Sequence, residues 1–206
     1  GVIQQKTNYQ IQLVIAEDCS TDNTLEICTR YKELYPDVIT LVAHEKNRGL
    51  QRNFMSAHEH CTGEYIAICD GDDYWIDRKK LQRMTDFMDV DDPRDAFANQ
   101  IDYCRANDAP LTARIVEAIL RNFDAPGAFA AKLRGWPGKP MADALPLRAA
   151  GALHGLYLSG AEPRLAPLYA GEAGAMAAAE ALVGAAMARH DAALLPWLDG
   201  PPQTNE

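Results

Sequence analysis

The sequence predicts an α/β fold with a parallel sheet in its first half, followed by an all-α segment. Three observations lead there. Up to about residue 90, short runs rich in Ile, Leu and Val alternate with amphipathic stretches. Before residue 94 the alanines are Ala16, Ala43, Ala57 and Ala67 alone, whereas beyond it about a quarter of the residues are alanine. Past that point apolar residues recur only at helical spacing, between Gly and Pro breaks.

The elements follow in order. Residues 9–16 read as a buried strand. Ser20 or Thr21 is placed to cap a helix that runs to Tyr35 and is stopped by Pro36; Leu25, Cys28, Tyr31 and Tyr35 lie near one face. Residues 38–43 form a second strand, and Asn47-Arg48-Gly49 a turn. A helix over residues 50–61 ends at Gly63, residues 65–69 make a third strand, and another helix follows Asp77. In parallel sheets of this kind ligands bind at the carboxyl ends of the strands. The acidic, Pro-containing stretch 89–93 reads as a linker, dividing the chain into domains 1–90 and 91–206. Helices are expected within 101–104, 111–123, 144–158 and 173–189, packed as a bundle or layer. The sharp change of composition suggests a chimera of two unrelated segments, with a natural two-domain protein as the alternative.

The 206 residues are 48% hydrophobic and 24% charged, enough apolar material for a real core. A net charge of −9 excludes nucleic acid as an electrostatic partner, and no basic patch offsets it. The five cysteines (Cys19, Cys28, Cys61, Cys69, Cys104) fit neither a metal pair nor a disulfide framework and read as free thiols in a reducing cytosol. No apolar run reaches the roughly eighteen residues of a membrane span. The expected location is therefore cytoplasmic, with peripheral attachment to the inner membrane as a variant. The chain opens on Gly1 rather than Met, so a preceding segment is expected.

Two acidic clusters carry the chemistry. Glu17-Asp18-Cys19-Ser20-Thr21-Asp22-Asn23-Thr24 follows the first strand. A carboxylate there can accept hydrogen bonds from a base N–H or a ribose hydroxyl, while the plainer reading is a helix cap. Asp70-Gly71-Asp72-Asp73-Tyr74-Trp75 follows the expected third strand. Carboxylates this close repel one another and stay ionised together most easily around a cation. Mg²⁺ takes one or two carboxylates plus phosphate oxygens, as a diphosphate leaving group requires. A calcium loop would want an acid at its twelfth position, where Leu81 stands. A solvated acidic turn remains the plain alternative. A nucleotidyltransferase would show a Gly-rich phosphate loop, which is absent.

With both clusters in one α/β pattern, residues 2–88 resemble the inverting glycosyltransferase family 2, of the Rossmann-like GT-A fold. The matching text is IQLVIAEDCSTDNTLEI, EKNRGLQRNF and GEYIAICDGDDYWIDRKKLQRMTDF. It is most similar to a bacterial branch with the motif EGDDYW, where Asp70 replaces the usual Glu. The resemblance implies a partial GT-A domain whose Asp18 faces the base and whose Asp70 lies near the ribose. It implies that Asp72, with Asp70, ligates Mg²⁺ or Mn²⁺ against the diphosphate. Glu17 and Asn47 would line the nucleotide-sugar pocket, and Asp73 would support the loop. The implied donor is a nucleotide-diphosphate sugar, UDP-sugar first, and the implied acceptor a cell-surface glycan or lipid-linked precursor.

Three family features have no counterpart here: the first strand, the later acidic pair that supplies the general base, and the Gln-x-x-Arg-Trp-type segment. An inverting transfer needs that base. The alternative is therefore a non-catalytic nucleotide-binding remnant or a helical interaction module, and no catalytic residue is assigned. Tyr74 and Trp75 are candidates for sugar contact or for packing, and Lys79, Lys80 and Arg83 for phosphate contact or a solvated face. His44, His58, His60, His154 and His190 lack a metal-site partner set. RGWPG, ALPLRAAGALHGLYLSG and HDAALLPWLDGPPQTNE resemble the amino-terminal part of a proteobacterial family of unknown function, and Gln203, Asn205 and Glu206 are candidates for a polar site there.

Overall fold

The computed structural model describes residues 1–170 and 175–199. The chain divides into two compact units, Gly1–Thr85 and Asp86–Glu206. In the first, β1 (Leu13–Glu17) and β2 (Ile39–Ala43) pair in parallel with Leu13 opposite Ile39 and Glu17 opposite Ala43. The β-branched and aliphatic residues suit a pleated, half-buried surface. A parallel pair needs a crossover, and α1 (Thr24–Leu34) supplies it. Its N-terminus is held by Asp22, whose Oδ1 accepts the Thr24 N–H at 3.0 Å, rather than by Ser20 or Thr21. The helix α2 (Leu50–His58) follows Gly49, whose φ of 81° lies in the region that favours glycine. The last helix, α3 (Lys80–Met88), starts beyond Asp77 as its pattern predicts.

The expected third strand does not form. Residues 65–69 are irregular, and Ile66 and Ile68 are 49% and 60% exposed. A strand persists only where a neighbour completes its hydrogen-bond ladder. Here the sheet has two strands, and no described segment pairs with residues 65–69. The second acidic cluster therefore stands after a loop, not at a strand end. The observed architecture is a partial GT-A α/β unit followed by helices.

Residues 89–92 have no regular structure and stand between α3 and the next helix. Asp92 caps α4 (Pro93–Ala106) by accepting the Arg94 N–H at 2.7 Å, and Pro93 sits at the first helical position, where its missing N–H is harmless. There follow α5 (Pro110–Arg121), α6 (Ala128–Arg134), α7 (Leu145–Leu158), a short turn Pro163–Leu165, α8 (Ala166–Ala170), α9 (Ala175–Arg189) and α10 (Asp191–Asp199). The four predicted helices are present as α4, α5, α7 and α9, although α4 starts eight residues before the expected 101–104; α6, α8 and α10 were not foreseen. One core joins them around Phe97, Ile119, Phe129, Leu153, Val183 and Leu194, all fully buried. Phe97 and Phe123 meet edge to face at 5.3 Å. Asp191 caps α6 from another helix, its two oxygens accepting the Ala128 and Phe129 N–H groups at 2.8 and 2.7 Å. Small residues let α5 and α9 approach closely: a Cβ on Gly184 would lie 2.3 Å from Asn122 Oδ1. Asn122 in turn bridges the helices, its Nδ2 donating to Ala118 and Glu180 carbonyls at 2.8 and 2.9 Å. The segment PPQTNE, with Gln203, Asn205 and Glu206, lies outside the described residues.

Candidate functional site

The site begins at the carboxyl edge of β1. Glu17 is buried, and its carboxylate turns back onto its own loop, accepting the Ser20 N–H at 2.6 Å and the Cys19 N–H at 3.2 Å. A hydrogen bond from the Ser20 side chain holds this carboxyl below the ordinary glutamate range; burial opposes it, and the two N–H groups reinforce it. Between the two acids and the serine, Cys19 takes a left-handed φ of 60°. Glu17 thus shapes the loop from within.

Asp18 reaches the turn after β2. Its Oδ1 accepts the Arg48 N–H at 2.7 Å and its Oδ2 the Gly49 N–H at 2.8 Å. Asn47 completes the junction: its Nδ2 donates to the Asp18 carbonyl at 3.0 Å, and its Oδ1 accepts the Gly49 N–H at 3.1 Å. Parallel pairing is what brings these loops to one edge although they are 30 residues apart. A carboxylate has about four lone-pair positions, so two remain on Asp18 for a further donor. Behind the edge, Asn53 of α2 donates to the Ala16 carbonyl at 3.2 Å. Asn53 Oδ1 and His44 Nε2 are enclosed without a partner. Neither residue stood out in the sequence, since an Asn within a helix and a lone His carry no pattern.

The second cluster is open to solvent. Asp70, Asp72 and Asp73 are exposed, and the Asp73 N–H donates to the Asp70 carbonyl at 3.0 Å to close the turn. Among the described residues no hydrogen bond or ion pair joins this turn to the Asp18 loop, and no group of three or more His, Cys, Asp or Glu side chains forms a ready metal cage. Two carboxylates on an open turn fit a hard cation whose remaining ligands are phosphate oxygens, not a closed protein site. Next to it the Lys80 ammonium lies 4.3 Å from the Trp75 ring centroid, and Arg83 pairs with Asp77 at 2.7 Å. Tyr74 is 74% exposed.

A clasp that the sequence did not announce holds this region. Gln5 Nε2 donates to the Asp77 carbonyl at 2.8 Å, and its Oε1 accepts the Leu81 N–H at 3.0 Å. Lys6 N–H reaches the Arg78 carbonyl at 2.6 Å, and Thr7 donates to Gln82 at 2.9 Å. A cavity of about 460 Å³ runs along α2, lined by Arg48, Gln51, Arg52, Met55, Ser56 and Glu59; the acidic residues Glu17, Asp18, Asp70 and Asp72 are not in its wall.

The model of glycosyl transferase family 2 matches residues 1–133. The chain belongs to glycosyl transferase family 2. Its helical part also belongs to a second family, described as "Uncharacterized protein conserved in bacteria (DUF2332)", whose model matches residues 94–206. Residues 94–133 fall under both, and there Phe97, Ile115, Ile119 and Phe129 serve the helical core. An uncharacterized protein of Mycobacterium tuberculosis is 36% identical over 89 residues, which cover 43% of this chain and 26% of the relative. An uncharacterized glycosyltransferase of Nostoc is 34% identical over 87 residues, 42% of this chain and 26% of its own. A dTDP-rhamnosyl transferase of Shigella flexneri is 31% identical over 107 residues, 50% of this chain and 36% of its own. This glycosyltransferase family 2 chain thus spans 26% to 36% of the length of these relatives. No solved structure matches it.

Proposed function

We propose that the first unit binds a nucleotide-diphosphate sugar for transfer to an acceptor hydroxyl. The observation that supports this best is the Asp18 junction, a rigid carboxylate with spare acceptor capacity at the carboxyl edge of a parallel sheet in a family 2 chain. In this reading Asp18 accepts the ring N–H of a pyrimidine, a donor that uracil and thymine share. UDP-sugars come first and dTDP-sugars second, the latter because the Shigella relative is named for dTDP-rhamnose. Asn47 and the Arg48–Gly49 amides hold Asp18 in place, and Glu17 sets the loop that carries it. Asp70 lies toward the ribose, and Asp72 with Asp70 holds Mg²⁺ or Mn²⁺. That ion would supply Lewis acidity to the departing nucleoside diphosphate. The acceptor is a cell-surface glycan or lipid-linked precursor, met in the cytoplasm or at the surface of the inner membrane. No described helix is long and apolar enough to cross a membrane.

Calorimetry of UDP and UDP-sugars with and without Mn²⁺ tests the proposal. Binding should require the metal, and Asp72→Ala and Asp18→Ala should each weaken it by about tenfold or more, the loss of one charge-assisted contact. Metal-independent binding that both variants leave unchanged refutes it. A second reading, a nucleotide-binding remnant without transfer, is favoured by the lack of a recognisable base-supplying segment after residue 90. Metal-dependent release of UDP from a donor sugar, abolished by Asp72→Ala, eliminates that reading. We further propose that the two families were joined as a chimera. An uninterrupted natural reading frame across codons 85 to 100 would overturn this.

A further inference from the structure

The second unit holds a buried carboxylate with more positive partners than it needs. The Glu162 side chain is 1% exposed. Arg164 Nε donates to Oε1 at 2.7 Å and its Nη2 to Oε2 at 3.4 Å, while Arg189 Nη1 and His190 Nε2, the latter at 3.2 Å, meet Oε2. Its backbone is fixed too: the Glu162 N–H donates to the Leu156 carbonyl at 3.0 Å, and its carbonyl accepts the Leu165 N–H at 3.2 Å. One well-placed cation is enough to compensate a buried carboxylate. Here two guanidinium charges face one carboxylate, a surplus of +1 among these three side chains in a chain whose total is −9.

The arginines are not buried with their partner. Their side chains are 62% and 40% exposed. Among the described residues no second carboxylate meets either of them. Arg164 Nη1 and Arg189 Nε and Nη2 therefore keep donors that Glu162 does not use. Two guanidinium groups pinned to one pivot lose little freedom on binding; the Nε and Nη2 of Arg189 form a free fork for two phosphate oxygens, and Arg164 Nη1 adds a charge-assisted donor.

We propose that Arg164 and Arg189, oriented by Glu162 and flanked by His190, form a phosphate-binding site in the helical unit, independent of the nucleotide-sugar edge. The phosphate is either the free ion or the terminal group of a nucleotide or sugar phosphate.

The test is an NMR titration of the full chain, following the arginine side-chain N–H and His190 ring signals. Inorganic phosphate should give saturating shifts confined to this cluster, with an equal ionic strength of chloride giving none. Arg164→Gln should weaken the response by about tenfold, the loss of one charge-assisted contact. Arg164 is largely exposed, so this variant should stay folded by circular dichroism. Arg189→Lys, which keeps the charge but loses the fork, should weaken it as well. Arg121→Gln, at an exposed ion pair with Glu117, should leave it unchanged. UDP forms a separate arm in the Asp18→Ala background, where the first unit's proposed contact is removed. A response equal to that of inorganic phosphate identifies the phosphate group alone as the ligand, and a stronger one identifies a nucleotide. Shifts that never saturate, that chloride reproduces, or that survive both arginine substitutions overturn the proposal.

Discussion

The two units use similar side chains to opposite effect. In Gly1–Thr85 the one buried apolar side chain among the described residues is Ile39. In Asp86–Glu206 the fully buried set includes Phe97, Phe123, Phe129, Leu133, Leu145, Leu153, Leu165, Leu194 and Leu198. The first unit is not short of apolar residues: Leu50 is 87% exposed, Ile76 83%, Leu34 63% and Ile68 60%. What it lacks is a sheet wide enough to bury them. A two-stranded sheet offers its helices too little surface to cover, whereas seven helices can surround a common centre. Apolar content alone does not make a core; stacked elements do.

Mutation can sharpen or break that contrast. Phe97→Ala removes a fully buried ring and its edge-to-face contact with Phe123, and should destabilise the helical unit by about 3–5 kcal/mol in urea unfolding followed by helical circular dichroism. A loss well under that would mean the helical core is as loose as the first unit. Gly184→Ala drives a methyl against Asn122 Oδ1, and should cost about 1–3 kcal/mol in the same assay, as overpacking does. An unchanged midpoint would show that α5 and α9 can part without penalty.

The buried acids give a pH test with its sign fixed. Burial pushes the Glu162 carboxyl up, but hydrogen bonds from Arg164 and His190 and the charges of Arg164 and Arg189 outweigh it and hold it below the ordinary glutamate range. The folded form therefore binds this proton more weakly than the unfolded form. The stability it confers is complete above the unfolded-state value and fades as pH drops through the folded one. The urea midpoint of the helical unit should fall across that acidic window, and Glu162→Gln should flatten the fall. The smallest effect belongs to the first unit. Cys19→Gly should raise its stability by about 1 kcal/mol, because glycine accepts a left-handed φ without the Cβ clash. A destabilised variant in thermal melts would show that the Cys19 side chain does more than tolerate its backbone.

Much of this was legible in the residues. The strand expected at 9–16 forms only over 13–17, residues 9–12 being irregular, and that at 38–43 forms over 39–43; these and four of the helices of the second unit were signalled by periodicity and by Gly and Pro breaks. The first acidic cluster stands where the pattern put it. Residues 65–69 carry Ile-rich text that matches a buried strand, but text alone does not say whether a partner strand is there. The role of Glu17 was hidden for a related reason. Its neighbour Asp18 meets another loop, while Glu17 satisfies its own backbone, and adjacent carboxylates look alike in a sequence. The Gln5 and Gln82 clasp joins residues more than seventy positions apart, with no spacing to betray it.

The crossover between β1 and β2 has an evolutionary corollary. The Asp18–Gly49 junction hangs on strand register, and the end of α1 is itself tied to β2, since Lys32 Nζ donates to the Pro36 carbonyl at 2.8 Å and the Ile39 N–H to the Tyr35 carbonyl at 2.9 Å. The solvent-facing residues of α1 can therefore diversify while that end stays in place. New recognition residues grafted onto the outer face of α1 would leave the anchoring loops as they are.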